Sequence, residues 1–344
     1  INALAMAIDP DNYGNIIDLY DGISDLKKGI IRTPLEPVRT FRDDPLRMMR
    51  AVRFATRFDF SIEEQTFEAI KDSASRLEII SKERITDEFN KILLAPEPSV
   101  GINLLDQSAL LKQFLPELPV LKGVEQRDEF HHKDVFYHTL EVLDNTARVS
   151  DKLELRLAAL LHDIGKPKTK KFVPGTGWTF YGHDVIGERM TRAILKRMRY
   201  SKQQIHYVQK LVRLHLRPMS VVDEEVTDSA VRRLIAQSGD ELEDLMALCR
   251  ADITSKNPQR VKAYMANYER VAEKIVDVEE RDRIRNFQPP VDGNEIMDLF
   301  DLEPGPVVGR IKKFVEDAIM SGQVPNDHDA CLDFIREHQD ELLD

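Results

Sequence analysis

The stretch Leu155–Lys171, LRLAALLHDIGKPKTKK, decides how the chain is read. An apolar helical run ends in His162-Asp163, breaks at Gly165, and runs on into Lys166, Lys168, Lys170 and Lys171, parted only by Pro167 and Thr169. A glycine stop with lysine in the last turn is an ordinary helix C-terminus, in which the cation complements the dipole. That accounts for Gly165 and Lys166. It does not account for His-Asp adjoining an Ala-Ala-Leu-Leu face, where an imidazole beside a carboxylate is donor chemistry for a cation.

The surrounding sequence extends that reading. Seven of the nine histidines fall between His131 and His215, far more than even placement would give. The order there is His138, His162-Asp163, His183 and His215, followed by Asp252 in LCRADIT. Neutral imidazoles and carboxylates suit divalent first-row ions, and a set without thiolate disfavours structural zinc. Each member lies on or beside a helical pattern, and a helix bundle can bring such side chains to one interior point. Any one of these histidines alone reads as a hydrogen-bonded core residue, whereas the ordered set reads as a metal centre. His131 and His132 are its weakest members and read as surface residues.

Length and composition set the frame. At 344 residues the chain is long enough for two or three domains, and 32 % charged with 42 % apolar residues is a globular profile. No apolar run approaches the roughly 20 residues that span a bilayer, and no signal-peptide pattern is present. Cys249 and Cys331 both sit in apolar helical contexts, as expected in a reducing cytoplasm. The chain begins at Ile1 rather than a methionine, which is expected of a fragment or a processed form. A net charge of −11 argues against a nucleic-acid binder as a whole, yet Arg189–Arg217 holds nine basic residues and no acidic one. That segment reads either as a solvated helix face or as a phosphate-binding face.

Sparse glycine and proline with recurrent heptad-like apolar spacing predict a mainly α chain. The exception is Ile16–Arg32, which reads as strand and turn from the edge of a small sheet. A helix opens after it, with Asp44 as N-cap and Pro45 at the first position. Ser61 and Glu64 form a capping-box pattern for the next helix, and LPELPVLKG marks a boundary near residue 125. Arg47, Arg50, Arg53 and Arg57 make one stripe beside an apolar stripe of Leu46, Met49, Val52 and Ala55. Arg53 and Arg57 read as a cationic solvent face. Asp44 and Arg47 together can meet the acceptor and donor edge of a nucleobase, or can form a local ion pair.

Two resemblances rest on these residues. His138…His162-Asp163…Asp252, with Gly165-Lys166 after the doublet, resembles the HD superfamily of metal-dependent phosphohydrolases. That resemblance implies His138, His162, Asp163 and Asp252 as metal ligands and His183 and His215 as the extra ligands of two-metal versions. It makes His162, Asp163 and Lys166 the catalytic group, with Lys166 helping to hold the substrate phosphate. The strings INALAM, IIDLYDGISDLKKGIIR, FRDDPLRMMRAVRFATRFDFSIE and ISKERITDEFNKILL, in that order, resemble bacterial CCA-adding tRNA nucleotidyltransferases and their poly(A) polymerase relatives. The implied fold is mainly α: a helical neck, an HD-type bundle and a helical tail, with a short β remnant of a nucleotidyltransferase head. The implied domains are 1–33 (end of the head), 34–125 (neck), 126–256 (HD) and 257–344 (tail).

By the same resemblance Asp44 and Arg47 read the base of incoming ATP or CTP, Arg50 contacts the nucleotide, and Asn2 ends the motif that holds ribose and triphosphate. Arg189, Arg192, Lys196, Arg197 and Arg199 would bind tRNA phosphates. Magnesium is expected for nucleotidyl transfer, and manganese, nickel, cobalt or magnesium at the HD site. The family's Gly-Ser pair and two metal-binding aspartates have no counterpart here. Asp18, Asp21 and Asp25 lie in a later segment and read as turn or sheet-edge residues, so the chain as given is expected to lack nucleotide transfer. Two rivals stay open: a stand-alone HD phosphohydrolase, and a non-catalytic RNA-binding module.

Overall fold

The computed structural model describes residues 3–128, 131–219, 227–254, 257–282 and 289–343. Its N-terminal β part is small. Leu4–Met6 pairs antiparallel with Ile16–Asp18, Leu4 opposite Asp18. The next segment is a short helix, Gly22–Lys28, where the sequence suggested a turn. Asp18 explains the difference, because its carboxylate accepts from Gly22 N at 2.8 Å and Ile23 N at 2.9 Å and so caps the helix from outside. Gly29, with φ +67°, closes it in the left-handed conformation. Ile30–Ile31 then pairs in parallel with Ser61–Ile62. Ser61 is thus a strand residue, and Glu63, not a Ser61–Glu64 box, caps helix Glu64–Ser73 by accepting from Thr66 N.

Helices Pro37–Asp43, Leu46–Phe58, Lys82–Leu93 and Pro98–Gln107 form the neck. The apolar stripe of Leu46–Phe58 is inward: Leu46, Met49, Val52 and Ala55 are all buried, and so is Met48. Each fully buried Met or Val contributes on the order of 1.5–3 kcal/mol relative to an exposed one. The helix starts one residue later than expected, with Pro45 at the cap, while the Asp44 carboxylate still accepts from Leu46 N at 3.2 Å. Arg53 leaves the predicted solvent face. Its guanidinium lies 2.8 Å from Glu88 Oε1 and 4.4 Å from the Phe54 ring centroid, whereas Arg57 is exposed as expected.

Helices Val135–Val149, Leu153–Leu161, His183–Arg197 and Lys202–Leu214 follow. Asp134 caps the first of these and a Ser201–Gln204 capping box starts the last. Between them lies a hairpin, Lys171–Val173 with Gly177–Thr179, that the helical periodicity did not reveal. The neck is stitched to these helices by Thr86 Oγ1, which donates to Met198 O at 2.8 Å, and by the Arg197–Glu117 ion pair. The described residues within 1–215 and 251–255 make one compact body, and those within 216–250 and 256–344 make a second. The second has its own core, including Ile296, Ile311, Val315, Cys331 and Ile335. No described helix is long and apolar enough to cross a membrane.

Candidate metal centre

The six ligand-type residues picked from the sequence meet in the first body. Helix Val135–Val149 supplies His138, the end of Leu153–Leu161 supplies His162 and Asp163, His183–Arg197 opens on His183, and His215 follows Lys202–Leu214. They form two groups of facing donor atoms, His138–His162–Asp252 and Asp163–His183–His215. Asp163 spans both. Its Oδ2 lies 3.2 Å from His162 Nε2 and 3.5 Å from His138 Nε2, while its Oδ1 lies 3.5 Å from His183 Nε2 and 4.0 Å from His215 Nε2. Asp252 Oδ1 closes the first group at 2.9 Å from His138 Nε2 and 3.5 Å from His162 Nε2.

Every ring is held by its far nitrogen. The Nδ1–H groups of His162, His183 and His215 donate to Ala159 O, Phe180 O and Val212 O at 2.8, 2.9 and 2.7 Å. His138 Nδ1 faces Thr254 Oγ1 at 2.9 Å. All four Nε2 atoms therefore turn inward, and fixing one nitrogen is how proteins orient an imidazole as a metal ligand. The donor chemistry fits divalent first-row ions, with oxygen and imidazole donors and no thiolate. Thr254 escaped the sequence reading; its signal was its place two residues after Asp252.

Gly165 is explained by packing, not by a helix stop. Its φ of −80° is an ordinary right-handed value. A Cβ there would lie 2.2 Å from His183 O and 2.8 Å from Gly187 N, both backbone atoms that cannot yield. Glycine lets the HD turn press against the start of the His183 helix and so brings the two donor groups together. Lys166 is likewise not a surface cation: it is buried, with Nζ 2.6 Å from Asp163 Oδ2. Lys168 and Lys171 are exposed.

Charge is concentrated in this cluster. Burial alone would raise the Asp163 carboxyl, but His162 and Lys166 outweigh it and hold it well below the usual carboxylate range. Asp252 is held low by His162 and His138 in the same way. Burial pulls His162 down, yet Asp163 and Asp252 overcome this and lift it to about 10. His215 is pushed down to about 3 by burial and then by His162. Without a cation, a proton on His162 balances the carboxylates.

A pH dependence follows for the ion-free chain. Between pH 6.5 and about 10 the folded state holds a proton on His162 that the unfolded chain lacks, so stability falls as pH rises. Between pH 6.5 and about 3 the unfolded chain protonates His215 and the folded state does not, so stability falls as pH drops. Thermal melts in chelator are expected to peak near pH 6.5, with the alkaline slope lost in His162→Ala. A slope unchanged in that variant contradicts the assignment.

The neck carries a separate cleft of 410 Å³. Arg47 and Arg50 line it together with Ile31, Phe41, Phe54 and the Asp25–Arg32 ion pair, which is bidentate at 2.5 and 2.6 Å. Asp44 is not among the lining residues, and its carboxylate is 3.9 Å from both Arg47 and Arg84, a loose contact in each direction. Asn2 lies outside the described residues. On helix His183–Arg197 and just beyond it, Arg189, Arg192, Lys196, Arg197 and Arg199 are all exposed. Arg197 is engaged by Glu117 and Arg199 faces Glu83 at 3.6 Å.

Fold and site together define a helical protein with an HD-type donor centre joined to a helical neck. A model described as the probable RNA- and SrmB-binding site of polymerase A matches residues 59–121, and the HD domain model matches 135–254. An A-adding tRNA nucleotidyltransferase of Deinococcus radiodurans is 35 % identical over 92 % of this chain and 73 % of its own length. A CC-adding tRNA nucleotidyltransferase of Thermus thermophilus is 33 % identical over 90 % of this chain and 70 % of its own. The Bacillus stearothermophilus CCA-adding enzyme, crystallised with CTP, shares the fold with a TM-score of 0.65 at 22 % identity, over 99 % of this chain and 72 % of that one. The chain belongs to the tRNA nucleotidyltransferase family and carries an HD domain.

Proposed function

We propose that this chain serves nucleotide addition to tRNA 3′ ends in the cytoplasm and that its HD centre is a two-cation phosphohydrolase. The observation that carries the second part is the division of Asp163 between two donor groups, one oxygen facing each. His138, His162 and Asp252 would hold one ion and His183 and His215 the other, with Asp163 shared. Manganese, nickel, cobalt and magnesium are the candidates. A divalent ion there supplies an activated water and neutralises phosphate oxygens. The chain's own residues do the positioning. Four anchored Nδ1 atoms keep the rings aimed, Lys166 fixes the Asp163 carboxylate, and exposed Lys168 and Lys171 attract an anionic ester. The test is metal-dependent phosphatase and cyclic phosphodiesterase turnover, abolished in His162→Ala/Asp163→Ala. No bound metal and no turnover with any of the four ions would reduce the centre to a scaffold.

The neck cleft supports a base-reading role for Arg47, with Arg50 contacting the same nucleotide and ATP and CTP as substrates. Arg47 brings paired donors to an enclosure with an aromatic wall, Phe41 and Phe54. Asp44 would have to close on Arg47 when nucleotide enters. Arg47→Ala is expected to weaken ATP and CTP binding about tenfold or more, the worth of one bidentate base contact. Phosphatase turnover at the HD centre should not change. Titration of nucleotide by calorimetry checks the first, and an unchanged Kd refutes it. Arg189, Arg192 and Lys196 are exposed cations without acidic partners among the described residues, suited to tRNA phosphates, which position an RNA without reading its sequence.

A further inference from the structure

The hairpin between Lys166 and His183 contributes none of the six donor residues, yet it carries the chain's one tryptophan. Phe172 and Trp178 are register partners across it, with ring centroids 5.4 Å apart at 74°. They are 54 % and 47 % exposed. A cross-strand aromatic pair steadies a hairpin by roughly 0.2–1 kcal/mol, which does not require both rings to stay half open to solvent. The charged residues of the hairpin segment itself have one sign. Four lysines and no acidic residue lie between Lys166 and His183, and Lys170 Nζ sits 4.9 Å from the Trp178 ring centroid.

The hairpin is also coupled to the donors. Phe180, just past its second strand, accepts from His183 Nδ1 at 2.9 Å and from Thr169 Oγ1 at 3.4 Å through its carbonyl. Its ring lies 5.7 Å from Lys166 Nζ, which in turn holds Asp163. An exposed aromatic face with Lys170 beside it and the exposed Lys168 and Lys171 on the same segment suits a ligand that is both flat and anionic. Stacked bases with phosphate held by lysine are how proteins grip single-stranded nucleic acid.

We propose that the Phe172–Trp178 hairpin, linked through Phe180 to His183, is a nucleobase-stacking platform. The turnover arm of the test rests on the phosphohydrolase reading; the binding site does not. Trp178 reports on itself, because no other tryptophan contributes fluorescence. The probes are AMP and ribose 5-phosphate, which differ by the base. In chelator, AMP should quench Trp178 saturably and ribose 5-phosphate should not. With manganese, Trp178→Ala should raise KM for AMP about tenfold, the loss of one base–aromatic stack. It should leave KM for ribose 5-phosphate unchanged, and Trp178→Phe should restore the AMP value. Saturable AMP quenching with neither ester hydrolysed would retain the platform and remove the phosphohydrolase reading. Equal quenching by both probes, or an AMP KM indifferent to Trp178→Ala, overturns the proposal.

Discussion

Arg156→Met is expected to cost at least about 4 kcal/mol of stability and so to leave the first body poorly folded. Methionine fills much of the same volume, so the loss isolates the hydrogen bonds. The Arg156 side chain is buried, with the residue 1 % exposed, and donates to Leu93 O and Ala95 O at 2.8 Å, Ser150 O at 2.9 Å and Ala147 O at 3.2 Å, besides pairing with Asp151 at 2.9 Å. It joins the end of the neck helix Lys82–Leu93 to the link between two donor-bearing helices. Removing it orphans the carbonyls of Leu93 and Ala95 in buried surroundings, each costing about 1–3 kcal/mol, and loses the part-buried bonds to Ser150 and Ala147 as well. Burial depresses its pKa, but a guanidinium stays charged throughout the working range. Urea denaturation checks the figure, and a loss under 1 kcal/mol would mean that the staple carries little.

Asp163→Asn should have the largest effect on the centre. It removes the one charge shared by both donor groups, so binding should fail at both and turnover should drop by more than the about 100-fold that loss of a supporting residue costs. It also takes the charge from the partner of Lys166, a buried cation whose Nζ lies 2.6 Å from Asp163 Oδ2. Losing one partner of a buried pair costs about 3–5 kcal/mol. Asp163→Asn/Lys166→Met should therefore recover much of the thermal stability without recovering metal. If the double variant regained both, Asp163 would be a structural anion and not a ligand.

The donor set was legible in the sequence because each member sits at a helix end or on a helix face, in an order set by chain topology. Its geometry was not. Gly165 read as a helix stop because stop glycines and close-contact glycines look alike until the neighbouring backbone at His183 and Gly187 is placed. Lys166 read with the other lysines, although burial against Asp163 separates it from Lys168 and Lys171. Arg53 shows the same limit, since its partner Glu88 is 35 residues away and nothing local announces it. The mainly α architecture followed from periodicity, whereas hairpins of three or four residues per strand were too short to leave a period-2 signal. In the neck, a local pattern correctly put Arg47 and Arg50 on a shared face, but only the fold shows them lining a cleft from which Asp44 is absent.

The most direct measurement is the number of divalent ions bound per chain, by equilibrium dialysis with manganese and elemental analysis. Two ions for the unaltered chain, one for His183→Ala/His215→Ala and fewer than one for Asp163→Asn is the result expected of two donor groups sharing a carboxylate. A single ion whose binding is indifferent to His183 and His215, or none at all, would contradict it.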